Sequence, residues 1–250
     1  MGVRSRFRLG SSGLRRGLGQ RDATRSVRAW SPCCRKVTFV TAVVDRVKNP
    51  RGEGGRLRAE ILRAATALLD ETGQEQSVTL RAVARRIGIA APSIYGHFPD
   101  REAILFAVVA QAFAELTEAL HTARAAAGPD PRARLTAVTG AYLDFARHRP
   151  RRYRVMFGGV WDVTDAVRAA AVTEADAADL GRDAFTVVTD TLRECITAGV
   201  STSTDPDGDA VALWVALHGL AHQQAVVPHF PWPPDLAERL VDRIALLTRR

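Results

Sequence analysis

The stretch TLRAVARRIGIAAPSIYGHFPDREAIL, Thr79–Leu105, decides how the rest of the chain is read. Leu80, Val83, Ala84 and Ile87 fall at i, i+3, i+4 and i+7, the one-sided apolar stripe of a short helix. Thr79 stands where an N-cap side chain accepts from the helix's unpaired amides, and Gly88 where a left-handed terminator is needed. Pro92 then sits in the first turn of a second short helix, where a missing N–H costs least. Pro99 stops that helix near Phe98, and Asp100 caps a long one beginning at Arg101. Two short helices joined through Gly88, Ile89 and Ala90 have helix-turn-helix spacing, although helical hairpins are common and spacing alone does not specify DNA. If Ile94 and Phe98, one turn apart, face the core, then Pro92, Ser93, Gly96 and His97 lie largely on outer faces. Tyr95 falls between, with a ring to pack and a hydroxyl to hydrogen-bond.

Outward from this stretch the periodicity stays helical. Before it, Leu57, Ile61, Ala65, Leu68 and Leu69 mark a helix that Gly73 ends. After it, the helix from Arg101 carries Ile104, Leu105, Val108, Phe113, Leu116 and Leu120. Asp130 and Pro131 start another through Leu135, Val138, Tyr142, Leu143 and Phe145, ending near HRPRRY. A glycine-containing connection, MFGGVWD, leads to helices around 164–177 and 180–199. STSTDPDGD reads as a loop, 209–226 as a very apolar helix, PHFPWPP as a break and 234–248 as a closing helix. No alternating strand of convincing length occurs. The expectation is an all-α protein of about nine helices.

Composition narrows the class. No run of about 18 uninterrupted apolar residues occurs, so no membrane span is expected. Cys33, Cys34 and Cys195 form neither a disulfide framework nor zinc spacing, which points to a reducing cytoplasm. The net charge of +8 is unevenly placed: residues 1–50 hold twelve Lys/Arg and two Asp/Glu, the other 200 hold 23 and 25. A nucleic-acid reading of the remainder therefore rests on local geometry and not on overall charge. The Gly-, Ser- and Arg-rich segment 1–54 is expected to be disordered. Three readings of it stand open: a stretch that adds no fold and precedes the true start of translation, a basic arm on DNA backbone, or an organellar targeting peptide. Metal spacing of the H-E-x-x-H kind, a Gly-rich phosphate loop and a G-x-S-x-G elbow are all missing from the sequence, so no cofactor, metal or catalytic residue is expected.

The 49-residue run from Leu57 to Leu105, with its "AA…LL…G" first helix, TLRAVARRIG brace, SIYGHF turn and FPDREAIL continuation, resembles the TetR family of bacterial transcriptional regulators. Trp214, His218 and Gly219 resemble the Trp-His-Gly signature in the C-terminal domain of one TetR subgroup. The resemblance implies a helix-turn-helix DNA-binding domain over 55–101, with the motif itself at 79–98, and a helical ligand-binding and dimerisation domain over 102–250. It implies a homodimer on a partly palindromic double-stranded operator, a small-molecule effector that lowers DNA affinity, and repression as the usual outcome. The rival class is a helical small-molecule-binding protein or enzyme whose helix-turn-helix is vestigial.

By the resemblance, Tyr95 and His97 contact phosphates, and Ala91, Pro92, Ser93 and Gly96 face bases. Thr79 and Arg81 touch phosphate or a base edge, while Arg85 and Arg86 read as a solvated face. Arg101, where the family commonly has lysine, keeps the charge and adds a planar fork for phosphate. Two departures stand out. Ala90 replaces a capping hydroxyl residue, a loss of about 1 kcal/mol, and Gly96 lowers helix propensity by about 1 kcal/mol relative to alanine. Tyr142, Phe145, Met156, Phe157, Trp161, Phe185, Trp214 and His218 are the candidates for an effector pocket, although ordinary core is the simpler reading of any one of them.

Overall fold

A computed structural model of the protein describes residues 54–157, 163–168 and 172–248. The all-α reading holds: the described residues form ten α-helices, two short 3-10 turns and one isolated bridge between Ser201 and Leu247. The helices are α1 (Gly54–Thr72), α2 (Leu80–Ile87), α3 (Arg101–Ala126), α4 (Pro131–His148), α5 (Pro150–Phe157), α6 (Val163–Arg168), α7 (Glu174–Asp179), α8 (Arg182–Thr197), α9 (Pro206–Val226) and α10 (Leu236–Ile244). The expectation of disorder before α1 and the candidate Trp161 both lie outside the described residues.

The capping signals work as their chemistry requires. Thr79 Oγ1 accepts from the Ala82 amide at 3.1 Å, and Asp100 Oδ1 accepts from Ala103 at 2.8 Å. Asp130 and Asp205, each followed by proline at the first helical position, cap α4 and α9 in the same way. Gly88 is left-handed (φ 68°, ψ 37°), and the Ile89 amide reaches back to the Ala84 carbonyl at 3.0 Å, closing α2 with the reversal that swings the chain toward the next element.

Two buried clusters organise the chain. One gathers Ile61, Ala65 and Leu69 of α1, Val83 and Ala84 of α2, Ile94, Phe98, and Ile104 to Val109 of α3. The other gathers Leu116 and Leu120 of α3 with α4, α8, α9 and α10. The 26 residues of α3 run roughly 39 Å at 1.5 Å per residue, which is long enough for its first half to sit in one cluster and its second half in the other. By length and composition α3 could cross a membrane, but here it buries Ile104, Leu105, Leu116 and Leu120 completely inside the protein.

The helix expected over residues 92–98 is a single 3-10 turn, Ala91–Ile94, extended by hydrogen-bonded turns to Phe98. Amides of Ser93, Tyr95 and His97 reach carbonyls three residues back, at 2.9, 3.3 and 2.8 Å. Ala90 gives no side-chain cap, Gly96 adds no propensity, and prolines close both ends, so the turn depends on tertiary contacts beyond its own hydrogen bonds. The sequence reading also passed over α5, taking its end for a connection; Pro150 at the first position starts that helix two residues after α4 ends.

Candidate nucleic-acid interface and aromatic cluster

The turn at Ala91–Phe98 is fixed from below. Ile94 and Phe98 are 0% and 1% exposed, and each buried side chain contributes roughly 1.5–3 kcal/mol to locking it. That leaves Pro92, Ser93, Tyr95 and Gly96 exposed, with Ala91 and His97 half-buried beside them. Tyr95 is 59% exposed, its ring standing off the surface more fully than its intermediate position on the turn suggested. A Cβ built on Gly96 meets nothing within 4 Å, so the outer face there is open. Thr79 and Arg81, both exposed, lie at the start of α2.

Arg101 takes a different place from the one its family position suggested. Its Nε donates to the Val78 carbonyl at 3.0 Å and Nη2 to the Glu75 carbonyl at 2.9 Å, while Nη1 meets Glu102 Oε1 at 2.6 Å. The planar fork therefore ties the start of α3 to the turn that delivers α2. Arg86 is likewise engaged, with Nη1 2.8 Å from Glu71 Oε2 on α1. That hydrogen bond holds the Glu71 carboxyl below its usual range.

Arg58, on α1, was not singled out from sequence. Its Nη1 donates to the His97 carbonyl at 2.7 Å and its guanidinium lies 4.1 Å over the Phe98 ring, although the side chain remains exposed. It clamps the last residues of the turn from outside while Phe98 holds them from inside. No local sequence pattern announces a contact made 39 residues away.

The second constellation joins most of the pocket candidates. Tyr142 lies 4.9 Å from Trp214, Phe157 lies 4.7 Å from His218, and Phe185 lies 5.9 Å from Trp214, centroid to centroid. These are edge-on contacts of the kind aromatic quadrupoles favour. Met156 packs against both buried clusters. Phe145 is buried in the same cluster, with the Arg149 guanidinium 5.3 Å over its ring.

The centre of this cluster is polar, and Tyr153 completes it. Tyr153 Oη hydrogen-bonds His218 Nδ1 at 2.7 Å, and Tyr142 Oη lies 3.2 Å from Tyr153 Oη and 3.3 Å from the same nitrogen. Burial pushes the Tyr153 hydroxyl up to about 12 and that of Tyr142 higher still. Burial, with His222 one turn along α9, holds His218 below its ordinary value and so keeps it neutral. Spacing could have flagged Tyr153, since it stands four residues before Phe157 on the overlooked α5.

The same helix reaches the other cluster. Arg152 pairs with Glu115 of α3 and, at 3.3 Å, with Asp70 of α1, Arg154 donates to the Gly73 carbonyl, and Val155 is buried with α1 and α3. Adjacent residues of α5 thus face His218 on one side and the end of α1 on the other.

Comparison with known proteins follows the same division. Residues 61–108 match the family model described as bacterial regulatory proteins, tetR family, and residues 135–246 match a tetracyclin repressor-like C-terminal domain. The HTH-type transcriptional regulator BetI of Stenotrophomonas maltophilia (strain R551-3) is 32% identical over 87 residues, 35% of this chain and 44% of that protein. The match thus spans less than half the length of that curated relative. A protein of unknown function from Rhodococcus sp. RHA1 is 26% identical with a TM-score of 0.63, covering 79% of this chain and 95% of its own. A tetR-family regulatory protein from Rhodococcus RHA1 shares the fold at 21% identity and a TM-score of 0.54, over 77% and 98% of the two chains. The matching families and curated relatives are regulators, not enzymes.

Proposed function

This chain belongs to the TetR family of bacterial regulatory proteins, and from that premise we propose that it is a dimeric, effector-responsive repressor that reads double-stranded DNA through the surface of Ala91–His97. The observation that carries the reading is the contrast on that turn: Ile94 and Phe98 fully buried, Pro92, Ser93, Tyr95 and Gly96 open to solvent. A turn fixed on one face and bare on the other, without a stable helix of its own, is suited to insertion into a groove.

In this proposal Tyr95, His97, Thr79 and Arg81 grip the backbone while Ala91, Pro92, Ser93 and Gly96 approach the bases. Arg101 acts as a brace and not as a phosphate contact. With so little hydrogen-bonding capacity on the base-facing side, methyl contacts and DNA shape supply much of the specificity.

The second copy is proposed to pack on α9, where Val211, Val215 and Val226 are 51%, 63% and 62% exposed along one face. The effector is proposed to enter among Tyr142, Tyr153, Phe157, Phe185, Trp214 and His218, with Met156 at the edge. Displacing Tyr153 or Phe157 there moves α5, and α5 holds the end of α1 through Arg152 and Arg154. The working compartment is the cytoplasm.

DNase I footprinting over the chain's own upstream region tests the proposal. The expected result is two protected half-sites about one helical turn, roughly 34 Å, apart. Protection of a single half-site at all concentrations contradicts the dimer, and no protection on that region or on fragments selected from the genome contradicts DNA reading.

A further inference from the structure

Positive charge gathers where α4 hands over to α5. His148 at the end of α4, Arg149, and Pro150, Arg151 and Arg152 of α5 line a surface pocket of about 400 Å³ together with Asp70 of α1. Arg149 Nη1 lies 2.6 Å from Glu115 Oε2 on α3. Arg152 pairs with that same oxygen, and its Nη2 lies 3.3 Å from Asp70 Oδ2. One carboxylate oxygen thus serves two guanidiniums, while the other oxygen of Glu115 accepts from Gln111 Nε2 at 3.2 Å. Arg151 is exposed and makes no hydrogen bond or ion pair among the described residues. His148 donates from Nδ1 to the Asp144 carbonyl of its own helix at 2.8 Å, which leaves Nε2 for another partner. Arg149, Arg151 and Arg152, with His148 beside them, therefore face only Asp70 and Glu115, and the surplus is positive.

We propose that this pocket binds a small phosphate-bearing anion, at a site separate from the aromatic cluster and independent of the DNA-reading proposal. Guanidinium forks suit that class, because two parallel N–H groups meet two phosphate oxygens at once. Arg151 has all five of its N–H donors to give, and Arg149 and Arg152 have donors beyond those on the carboxylates. The volume sits toward the low end of ligand sites, which run from about 300 to 1,000 Å³, and so fits a small phosphorylated molecule. Pro150 is the one apolar side chain in the lining and no aromatic face is offered, so charge and not an apolar body holds the occupant. Asp70 competes with that anion for Arg152. The occupant therefore gains Arg152 at the expense of its tie to α1.

The test titrates pyrophosphate into the full chain by isothermal calorimetry at constant KCl, beside Arg151→Ser, Asp70→Asn and Arg85→Ser, each checked for folding by circular dichroism. The natural chain is expected to bind one pyrophosphate per chain, saturably. Arg151 holds nothing else in place, so Arg151→Ser should melt with the natural chain yet bind about fivefold more weakly or worse, since one surface ion pair contributes up to about that factor. Asp70→Asn is expected to bind severalfold more tightly, because it removes the carboxylate that competes for Arg152. Arg85→Ser, on the solvated face of α2, is expected to bind as the natural chain does, and it reports attraction that merely follows overall charge. Absence of saturable binding overturns the inference. So does an equal loss in Arg151→Ser and Arg85→Ser, or a folded Asp70→Asn that binds no more tightly than the natural chain.

Discussion

Arg101→Lys separates two roles that the same charge serves. In the structure, Nε and Nη2 of Arg101 hold the carbonyls of Val78 and Glu75, and Nη1 meets Glu102. Hydrogen bonds to a charged donor contribute about 1.5–3 kcal/mol each, and one ammonium cannot span both carbonyls and the carboxylate. The side chain is 29% exposed, so water compensates part of the lost contact. A net loss of roughly 1–2 kcal/mol remains, which for a chain of this size lowers Tm by about 2–8 °C. The assay is a thermal melt by circular dichroism paired with a DNA titration of the same preparation. A lysine that melts with the natural chain and binds DNA equally well refutes the brace and restores Arg101 as a phosphate contact.

Two glycines of the reading unit should respond oppositely. Gly88→Ala forces a left-handed conformation on alanine and is expected to cost about 1–2 kcal/mol in denaturant unfolding, with DNA affinity falling in step. Gly96→Ala meets open space at a residue without positive φ, and is expected to stabilise by about 0.4–1 kcal/mol while weakening DNA binding; a gain in both is evidence against the outer face approaching DNA. His218 is held neutral when folded, so the unfolded chain takes up more protons as pH falls through its ordinary value of 6.5, and stability should drop there. His218→Asn keeps a hydrogen-bonding group near Nδ1 without titrating, so its loss of Tm between pH 7.5 and 5.5 should be smaller than that of the natural chain; an equal loss removes His218 from the account. Val215→Glu on the exposed face of α9 should convert a dimer to monomer in light scattering, and an unchanged mass places the interface elsewhere.

The helices were legible because their signals are local. Stripes of apolar residues at helical spacing, Asp-Pro starts at Asp130 and Asp205, and glycine stops at Gly73 and Gly88 all act within one turn of chain. The inward positions of Ile94 and Phe98 followed from the same arithmetic. What escaped was set by partners far along the chain. Arg101 turns inward because carbonyls 23 and 26 residues earlier accept from it, and Arg58 reaches a carbonyl 39 residues later. The reading element was expected to be a helix, yet with no side-chain cap and with Gly96 it is a 3-10 turn, held by the burial of Ile94 and Phe98 and by Arg58 on the His97 carbonyl. Tyr153 was overlooked for another reason: α5 begins two residues after α4 ends, so the pair reads as one helix running out into a glycine-containing connection. The pairing of Tyr153 with His218, 65 residues away, is a tertiary fact.

The central claim is that the exposed face of the Ala91–Phe98 turn touches DNA, and Tyr95 tests it most directly. At 59% exposure its ring holds little of the fold together, so Tyr95→Ala should leave the melting temperature within about 1–2 °C of the natural chain, as expected for a surface substitution. Anisotropy titration against the chain's own upstream duplex should then show binding weakened by at least about tenfold, the equivalent of 1.4 kcal/mol. Equal affinity in the two proteins, both folded, contradicts the account.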